Sequence, residues 1–241
     1  MKPFPVICLT RRLISRGLWM FLLLASGTLS NAQGAGDLPE FSGIPRISLE
    51  EDGEVQIAGL RFSAGFIDTN WKFQGQGNRT VEVEPGYPRK KGSWWIWREK
   101  LIPEEESSVV LEQQIRPQGD SAFDLQYQLT SDEILVNETC LRILVPIKDV
   151  SGDIILIDRD RIEMPEEFDI GRIYHADVGD HRLVIPVAKG ELEIEGEFSV
   201  LIQDLRKWGN NYYYQIRLTF SPNVQVLDED ELELEVAYRA E

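Results

Sequence analysis

The chain has 241 residues, 42% hydrophobic and 10% aromatic, enough apolar material for one domain, for two small ones or for one large all-β domain. Its 41 Asp and Glu against 25 Lys and Arg give a net charge of −16. A surface this acidic repels nucleic-acid phosphates and anionic lipids, so we exclude both as partners. Neutral sugars, cations and a basic protein remain compatible, and solubility alone also explains the charge.

Residues 1–32 have the three parts of an export signal. Four basic residues within positions 2–16 precede an apolar run over 18–25, and small residues follow at 30–32. The run is shorter than the roughly 20 apolar residues that a membrane-spanning helix needs. The pattern predicts cleavage after Ala32, export to the periplasm or the outside of a bacterial cell, and no membrane contact after cleavage.

Cleavage would change both the charge and the cysteine content. The signal holds four of the 25 basic residues and none of the 41 acidic ones. The mature chain would therefore carry 21 basic and 41 acidic residues, a net charge of −20. Cys8 would be lost, leaving Cys140 without a disulfide partner in the monomer. Cys140 lies in a strand-like segment, which predicts a buried and inert thiol rather than a reactive one.

After a Gly- and Pro-rich lead-in over residues 33–45, strand-like segments alternate with turns. Apolar and polar residues alternate strictly over 123–129, which predicts one buried face and one wet face. Predicted strands cover residues 55–62, 79–84, 93–98, 108–115, 123–129, 141–147, 154–157, 182–187, 192–194, 198–205, 212–220 and 232–238. Without helical periodicity beyond the signal, this predicts one all-β, antiparallel β-sandwich over 46–241, with a barrel as the alternative.

Two segments forty positions apart are alike. Residues 142–147 read Arg-Ile-Leu-Val-Pro-Ile, and residues 182–187 read Arg-Leu-Val-Ile-Pro-Val. Proline cannot donate to a ladder, so Pro146 and Pro186 are expected at strand edges or bulges. Two copies are too few for a repeat protein. They are either equivalent strands in the two halves of a sandwich or a chance similarity.

Aromatic residues are concentrated in two regions. Three tryptophans lie within four positions at 94–97, and a fourth leads through a turn into the tyrosines at 212–214. Exposed rings beside a few polar groups are typical of sugar binding. The residues predicted to form such a ligand-binding platform are Trp94, Trp95, Trp97, Trp208 and Tyr213. The alternative is that the rings fill the core.

The alternation of side chains along a strand refines this prediction. Trp95 and Trp97 are expected on one face and Trp94 on the other. Tyr212 and Tyr214 are in phase with the apolar residues that follow them, so both are predicted to face inward.

Both histidines lie within residues 174–181, beside two aspartates. Imidazole and carboxylate can ligate a metal, but the spacing matches no established motif. Residues 178–180 are typical of a turn, so the segment predicts a solvated hairpin. The acidic runs at 104–106, 166–167 and 228–231 are predicted to be solvated turns, although calcium is chemically compatible with them. We predict no metal and no cofactor.

The sequence contains no nucleophile elbow, no phosphate-binding glycine loop and no zinc-protease helix. We therefore name no catalytic residue and favour a non-catalytic protein. An enzyme of the sandwich class, a small lyase or hydrolase, remains an alternative. It would need a concave sheet lined by His175 or His181 together with Tyr, Arg and carboxylates.

The order of segments from 123 to 200 resembles a known kind of domain. The strand at 123–129 is followed by Leu-Val-Pro-Ile at 144–147, a Gly-Asp turn, Met-Pro-Glu at 164–166, the segment 183–187 and Gly-Glu-Leu-Glu-Ile-Glu-Gly at 190–196. This order resembles the β-sandwich accessory domains that precede catalytic barrels in large secreted bacterial glycoside hydrolases. The resemblance implies a non-catalytic sandwich and no catalytic residue. No barrel follows within this sequence, which implies a stand-alone relative or a truncated or split product.

These observations predict a secreted, non-catalytic β-sandwich that binds polysaccharide or oligosaccharide, or that supports a glycoside hydrolase as its catalytic protein partner. The alternative is an exported structural or protein-interaction domain, with its acidic face or an edge strand as the contact.

Overall fold

The described residues are 71% β-strand and 4% helix, and every strand pairing among them is antiparallel. The computed structural model describes residues 47–50, 52–77, 81–101 and 109–240, apart from the side chains of 132 and 133. The predicted signal and lead-in lie outside these residues. The prediction of an all-β antiparallel sandwich is confirmed.

The strands are β1 (Ile47–Leu49), β2 (Val55–Ile57), β3 (Leu60–Asp68), β4 (Phe73–Gly75), β5 (Val81–Val83), β6 (Arg89–Lys91), β7 (Trp94–Leu101), β8 (Val109–Pro117), β9 (Ala122–Pro146), β10 (Ile154–Ile157), β11 (Asp160–Glu163), β12 (Arg172–Val187), β13 (Gly190–Asp204), β14 (Tyr213–Ser221) and β15 (Gln225–Ala240). A short helix α1 (Ile147–Val150) follows β9, and a 3₁₀ helix (Leu205–Trp208) follows β13. Among the described residues, no helix is long and apolar enough to cross a membrane.

Several strands are longer than the predicted segments. β9 is one strand of 25 residues that joins the separate predictions at 123–129 and 141–147. β12 passes straight through 178–180, so the predicted hairpin is wrong. The pairing of β12 with β13 shifts between Ala176 and Gly179, because a β-bulge takes up these residues without reversing the chain. The acidic run 228–231 likewise lies inside β15 rather than in a turn.

β9 and β13 hold the sandwich together because each changes partners along its length. The first half of β9 pairs with β8 and β15, and the second half pairs with β3 and β14. β13 pairs with β15 as far as Gly196, and with β14 from Ser199 onward. The sheet therefore forks where β15 leaves β13. One layer contains β15, β8 and the first halves of β9 and β13. The other contains β14, β3 and the second halves of β9 and β13.

One apolar core lies between the layers. The predicted alternation over 123–129 is confirmed, because Phe123, Leu125, Tyr127 and Leu129 are all buried. Full burial of each such side chain contributes roughly 1.5–3 kcal/mol. Cys140 is also in the interior, as predicted, and burial raises the pKa of its thiol to about 12. A thiol with this pKa is a packing residue and not a nucleophile.

Candidate functional site

The five residues predicted as one aromatic platform lie in two separate places. Trp94, Trp95 and Trp97 are on β7, whereas Trp208 and Tyr213 are on the 3₁₀ helix and at the start of β14. In the sheet, β8 and β9 lie between β7 and β14. A single platform containing all five rings is therefore not formed.

The tryptophans of β7 present little free ring surface. Trp97 is only 5% exposed, and its indole Nε1 donates to Oε2 of Glu99 at 2.7 Å. The guanidinium of Arg116 covers Trp94 at 4.5 Å, and the ammonium of Lys90 lies 5.6 Å from the Trp95 ring centre. These rings serve mainly in packing and in cation–π contacts.

The second region does expose aromatic rings. Trp208 is 57% exposed and Tyr212 is 75% exposed. Tyr214 is buried as predicted, but the inward orientation predicted for Tyr212 is wrong. β14 begins at Tyr213, so the two-residue alternation of the strand does not extend back to Tyr212.

A pocket of about 940 Å³ lies where several strands end, and we call it the end pocket. Its walls are the β2–β3 turn, helix α1, the β12–β13 turn and the residues that lead into β14. The lining residues are Ala58, Gly59, Pro146, Ile147, Lys148, Asp149, Val187, Ala188, Lys189, Asn211, Tyr212 and Tyr213. Of the predicted platform, the end pocket therefore contains Tyr213.

The two similar sequence segments both lead into the end pocket. Residues 142–147 run along the end of β9 into α1, and residues 182–187 form the end of β12. The first contributes Pro146 and Ile147 to the pocket and is followed directly by Lys148, whereas the second contributes Val187 and Lys189 lies two positions beyond it. The two similar segments therefore end at one site, although their lysines are at different distances from the segment ends.

The backbone of Tyr212 is fixed on both sides, although its ring is exposed. Its carbonyl oxygen accepts from the amide of Ile147 at 2.9 Å, and its amide donates to Oδ1 of Asn210 at 3.0 Å. Gly209, with φ of +82°, ends the 3₁₀ helix and starts this turn. The exposed ring is thus carried on a well-anchored backbone.

Tyr213 is held by a chain of polar side chains that runs inward from the half-buried Arg61 to the buried Glu54. Its hydroxyl is hydrogen-bonded to Arg61, which also donates from Nη2 to Oε2 of Glu54 at 3.0 Å. The hydrogen bond to the buried Glu54 raises the pKa of Arg61 above its ordinary value. Glu54 in turn accepts from Ser63 Oγ at 3.0 Å. This chain keeps the tyrosine wall of the pocket in place.

A second concave region, about 970 Å³ in volume, lies on the outer face near the fork of the sheet, and we call it the acidic groove. Eight carboxylates line it against two arginines: Asp124, Asp158, Asp180, Glu195, Glu197, Glu231, Glu233 and Glu235, with Arg116 and Arg182. Arg116 Nε donates to Asp124 at 2.6 Å across neighbouring strands. In the described part of the chain, no three His, Cys, Asp or Glu side chains converge as a metal site would require.

His181 lies in the wall of the acidic groove, with both ring nitrogens engaged. Nδ1 is 2.7 Å from Oδ2 of Asp158, and Nε2 is 2.8 Å from the carbonyl oxygen of Asp177. A carbonyl and a carboxylate are both acceptors, so the ring is best satisfied as a doubly protonated imidazolium. The lyase or hydrolase alternative required a concave surface lined by His175 or His181 together with Tyr, Arg and carboxylates; His181, the arginines and the carboxylates line this groove, but none of its lining residues is a tyrosine.

The pairing of His181 makes the stability depend on pH. Burial alone lowers its pKa, but the bond to Asp177 and the pairing with Asp158 outweigh burial, so the net pKa is raised above 6.5. A raised histidine pKa stabilises the fold fully below pH 6.5, and this stabilisation is lost as the pH rises through the folded-state pKa. We expect His181→Gln to lower the free energy of unfolding by about 1 kcal/mol at pH 6 and by less at pH 9.

Urea unfolding at the two pH values measures this difference. His175→Gln is the matched control, since His175 lies 4.0 Å from Asp177 and is nearly half exposed. Equal losses for His181→Gln at both pH values would contradict the imidazolium assignment.

Comparisons with known proteins assign no family. No family profile matches the chain, and no curated protein matches it. Among solved structures, one similar chain is a protein from Escherichia coli K12 that is named, as a provisional assignment, an aldose 1-epimerase. The TM-score is 0.42 at 8% sequence identity, over 74% of this chain and 82% of that one. The class defined by the fold and its pocket is an all-β antiparallel sandwich with an aromatic-lined pocket at its strand ends.

Proposed function

We propose that this protein is a carbohydrate-binding module that holds part of a sugar chain in the end pocket. The observation that carries the proposal is Tyr212, whose ring is 75% exposed on a backbone anchored to Ile147 and Asn210. An aromatic ring held in this way contacts a ligand over a large area at a low entropic cost.

The rest of the end pocket supports the same ligand class. Pro146, Ile147 and Val187 provide apolar walls, while Asn211 and Tyr213 add polar groups. Small-molecule sites commonly combine mainly apolar walls with a few polar groups in a volume of about 300–1,000 Å³. A pyranose ring, with apolar faces and polar edges, matches this combination.

The predicted export signal and the resemblance to glycoside hydrolase accessory domains extend the proposal. Export would bring the pocket to external polysaccharides, and a non-catalytic role would place it beside a catalytic protein. The acidic groove is formed by other residues than the end pocket, so a partner on that face leaves the pocket accessible.

Replacing Tyr212 tests the proposal. We expect Tyr212→Ala to weaken polysaccharide binding by about tenfold, because a stacked ring contributes roughly 1 kcal/mol or somewhat more. Tyr212→Phe, which keeps the ring, should bind nearly as well as the natural protein. Affinity electrophoresis in gels that contain plant or algal polysaccharides screens a panel of ligands. Calorimetry with the best ligand then measures the affinity.

Trp71→Ala is the matched control for exposed aromatic surface. Trp71 is 71% exposed in the β3–β4 turn, away from the pocket lining, so its loss should leave binding unchanged. A loss of affinity in Trp208→Ala would show that the binding site extends along the 3₁₀ helix. The proposal is wrong if no polysaccharide of the panel binds, or if Tyr212→Ala binds as well as the natural protein.

A second candidate function is docking of a basic partner protein on the acidic groove. The specific observation is the excess of carboxylates, with Glu195 directly opposite Glu235 on neighbouring strands. Such a contact would be strong at low salt and weak at high salt. Loss of a co-purified partner in a Glu195→Gln and Glu235→Gln double variant, with polysaccharide binding retained, would support this function.

A further inference from the structure

The end pocket differs in charge from the rest of the protein. Lys148 and Lys189 both line it, against one carboxylate, Asp149. The whole chain has a net charge of −16, so a pocket with an excess of positive charge is a local exception. Among the described residues, neither lysine makes an ion pair. Two lysines that form no ion pair with a described residue, beside an exposed tyrosine, are suited to an anionic group on a ligand.

Both lysines are carried on fixed backbone. Lys189 is in the β12–β13 turn, where its carbonyl oxygen accepts from the hydroxyl of Tyr238 at 2.5 Å. Gly190 follows with φ of +150°, and a Cβ there would lie 2.1 Å from the carbonyl oxygen of Arg239. Only glycine permits this close approach, so the turn is fixed against β15.

Lys148 is placed by a different part of the chain. It belongs to α1, the single helical turn that starts after Pro146 and closes with the hydrogen bond from Ser151 to Ile147. The amide of Ile147 is also the donor to Tyr212, so the backbone that carries this lysine is tied to the exposed aromatic ring. Positive charge and stacking surface are thus positioned by one set of backbone contacts.

We infer that the end pocket is selective for anionic saccharides, in which a sugar ring packs on Tyr212 while its carboxylate or sulfate group lies between Lys148 and Lys189. This inference rests on the proposed function. A lysine acts as a point charge and does not demand the planar geometry that arginine does, so both anionic groups fit. Asn211 provides a donor and an acceptor for ring hydroxyls.

The negative charge of the whole protein does not prevent this. At 0.15 M salt, interactions between exposed charges are screened beyond about 8 Å. None of the carboxylates of the acidic groove lines the end pocket. Within the pocket the near lysines therefore determine the interaction, whereas in low salt the long-range repulsion should slow the approach of an anionic polymer.

The test compares an anionic saccharide with its own neutral ester and adds a second anionic saccharide that carries sulfate. Oligogalacturonides, their methyl-esterified neutral forms and a sulfated galactan oligosaccharide are titrated into the full chain by calorimetry in 0.15 M salt. We expect at least one anionic sugar to bind about tenfold more tightly than the neutral ester. A Lys148→Gln and Lys189→Gln double variant should lose this preference and keep its affinity for the neutral form.

Controls separate the outcomes. Lys100→Gln removes an exposed lysine on β7 that is outside the pocket lining, and it should leave every affinity unchanged. Equal melting temperatures establish that the variants are folded. If neutral and anionic sugars bind equally and the double variant is unaffected, charge selectivity is wrong while the carbohydrate-binding function stands. If none of the three sugar classes binds, the selectivity for anionic saccharides is wrong, and the panel of plant and algal polysaccharides decides separately whether the carbohydrate-binding function stands.

Discussion

Asp204→Ala should destabilise the protein by about 2–3 kcal/mol, because it removes the charge-assisted hydrogen bonds between a buried carboxylate and a partly buried guanidinium. Asp204 has no solvent exposure, and its side chain accepts from the amide of Arg206 at 3.0 Å and from Nη2 of Arg206 at 2.7 Å. Arg206 also donates to the carbonyl oxygens of Pro165 and Glu166, at 2.8 and 2.7 Å. The aspartate thus caps the 3₁₀ helix and anchors the segment between β11 and β12.

The same substitution should reach the end pocket. The 3₁₀ helix leads through Gly209 into Tyr212, so loosening its start loosens the turn that carries the exposed ring. Urea unfolding measures the loss as a lower midpoint with an unchanged slope, and calorimetry measures the accompanying loss of sugar binding. Asp177→Ala is the control, since this side chain is fully exposed and no change is expected. A midpoint for Asp204→Ala like that of the control would contradict the assigned role.

Glu99 should make the protein less stable as the pH rises from about 4.5 to 7. Its side chain is buried, and burial raises its pKa to about 7, although hydrogen bonds from Trp97 and Gln76 favour the charged form. The folded state therefore holds a proton that the unfolded state has already released, and stability falls with rising pH across this interval. A shift of this size corresponds to a loss of about 3 kcal/mol.

Glu99→Gln removes this titration while keeping a similar shape. We expect the free energy of unfolding of the natural protein, relative to that of the variant, to fall by about 3 kcal/mol between pH 4 and pH 8. His181 is present in both proteins, so its titration cancels in the comparison. Glu82→Gln, at an exposed position on β5, is the control. A difference between natural protein and variant that does not change with pH would contradict the burial of a titrating carboxyl at this site.

The alternation of side chains in the sequence predicted much of the fold, because a half-buried strand imposes a local period of two residues. The buried face of the segment 123–129 and the burial of Tyr214 both follow from this period. Strand ends were predicted less well. Whether Gly179 forms a turn or a bulge depends on the partner strand β13, which lies some twenty residues further along the chain.

The candidate site was predicted only in part, because it too depends on contacts between segments that are distant in sequence. The clusters of aromatic residues were visible, and Trp208 and Tyr213 belong to the exposed region. Trp97 was included in the predicted platform because the sequence cannot distinguish an indole at the surface from one that donates a hydrogen bond to a buried carboxylate. Tyr212 was missed because its exposure is set by where β14 begins. Lys148 and Lys189 each lie within two positions of the end of a similar segment, but nothing in the sequence indicated that both would line one pocket.

The sequence by itself determined the secondary-structure class, the acidic character and one of the regions with exposed rings, the one around Trp208, since these depend on composition and on neighbours along the chain. The tertiary structure alone decided which rings are accessible, how Glu99 and His181 titrate, and that two lysines face one pocket. Those properties depend on contacts between segments far apart in sequence. The end pocket exists only because β2, β9, β12 and β14 bring their ends and turns together.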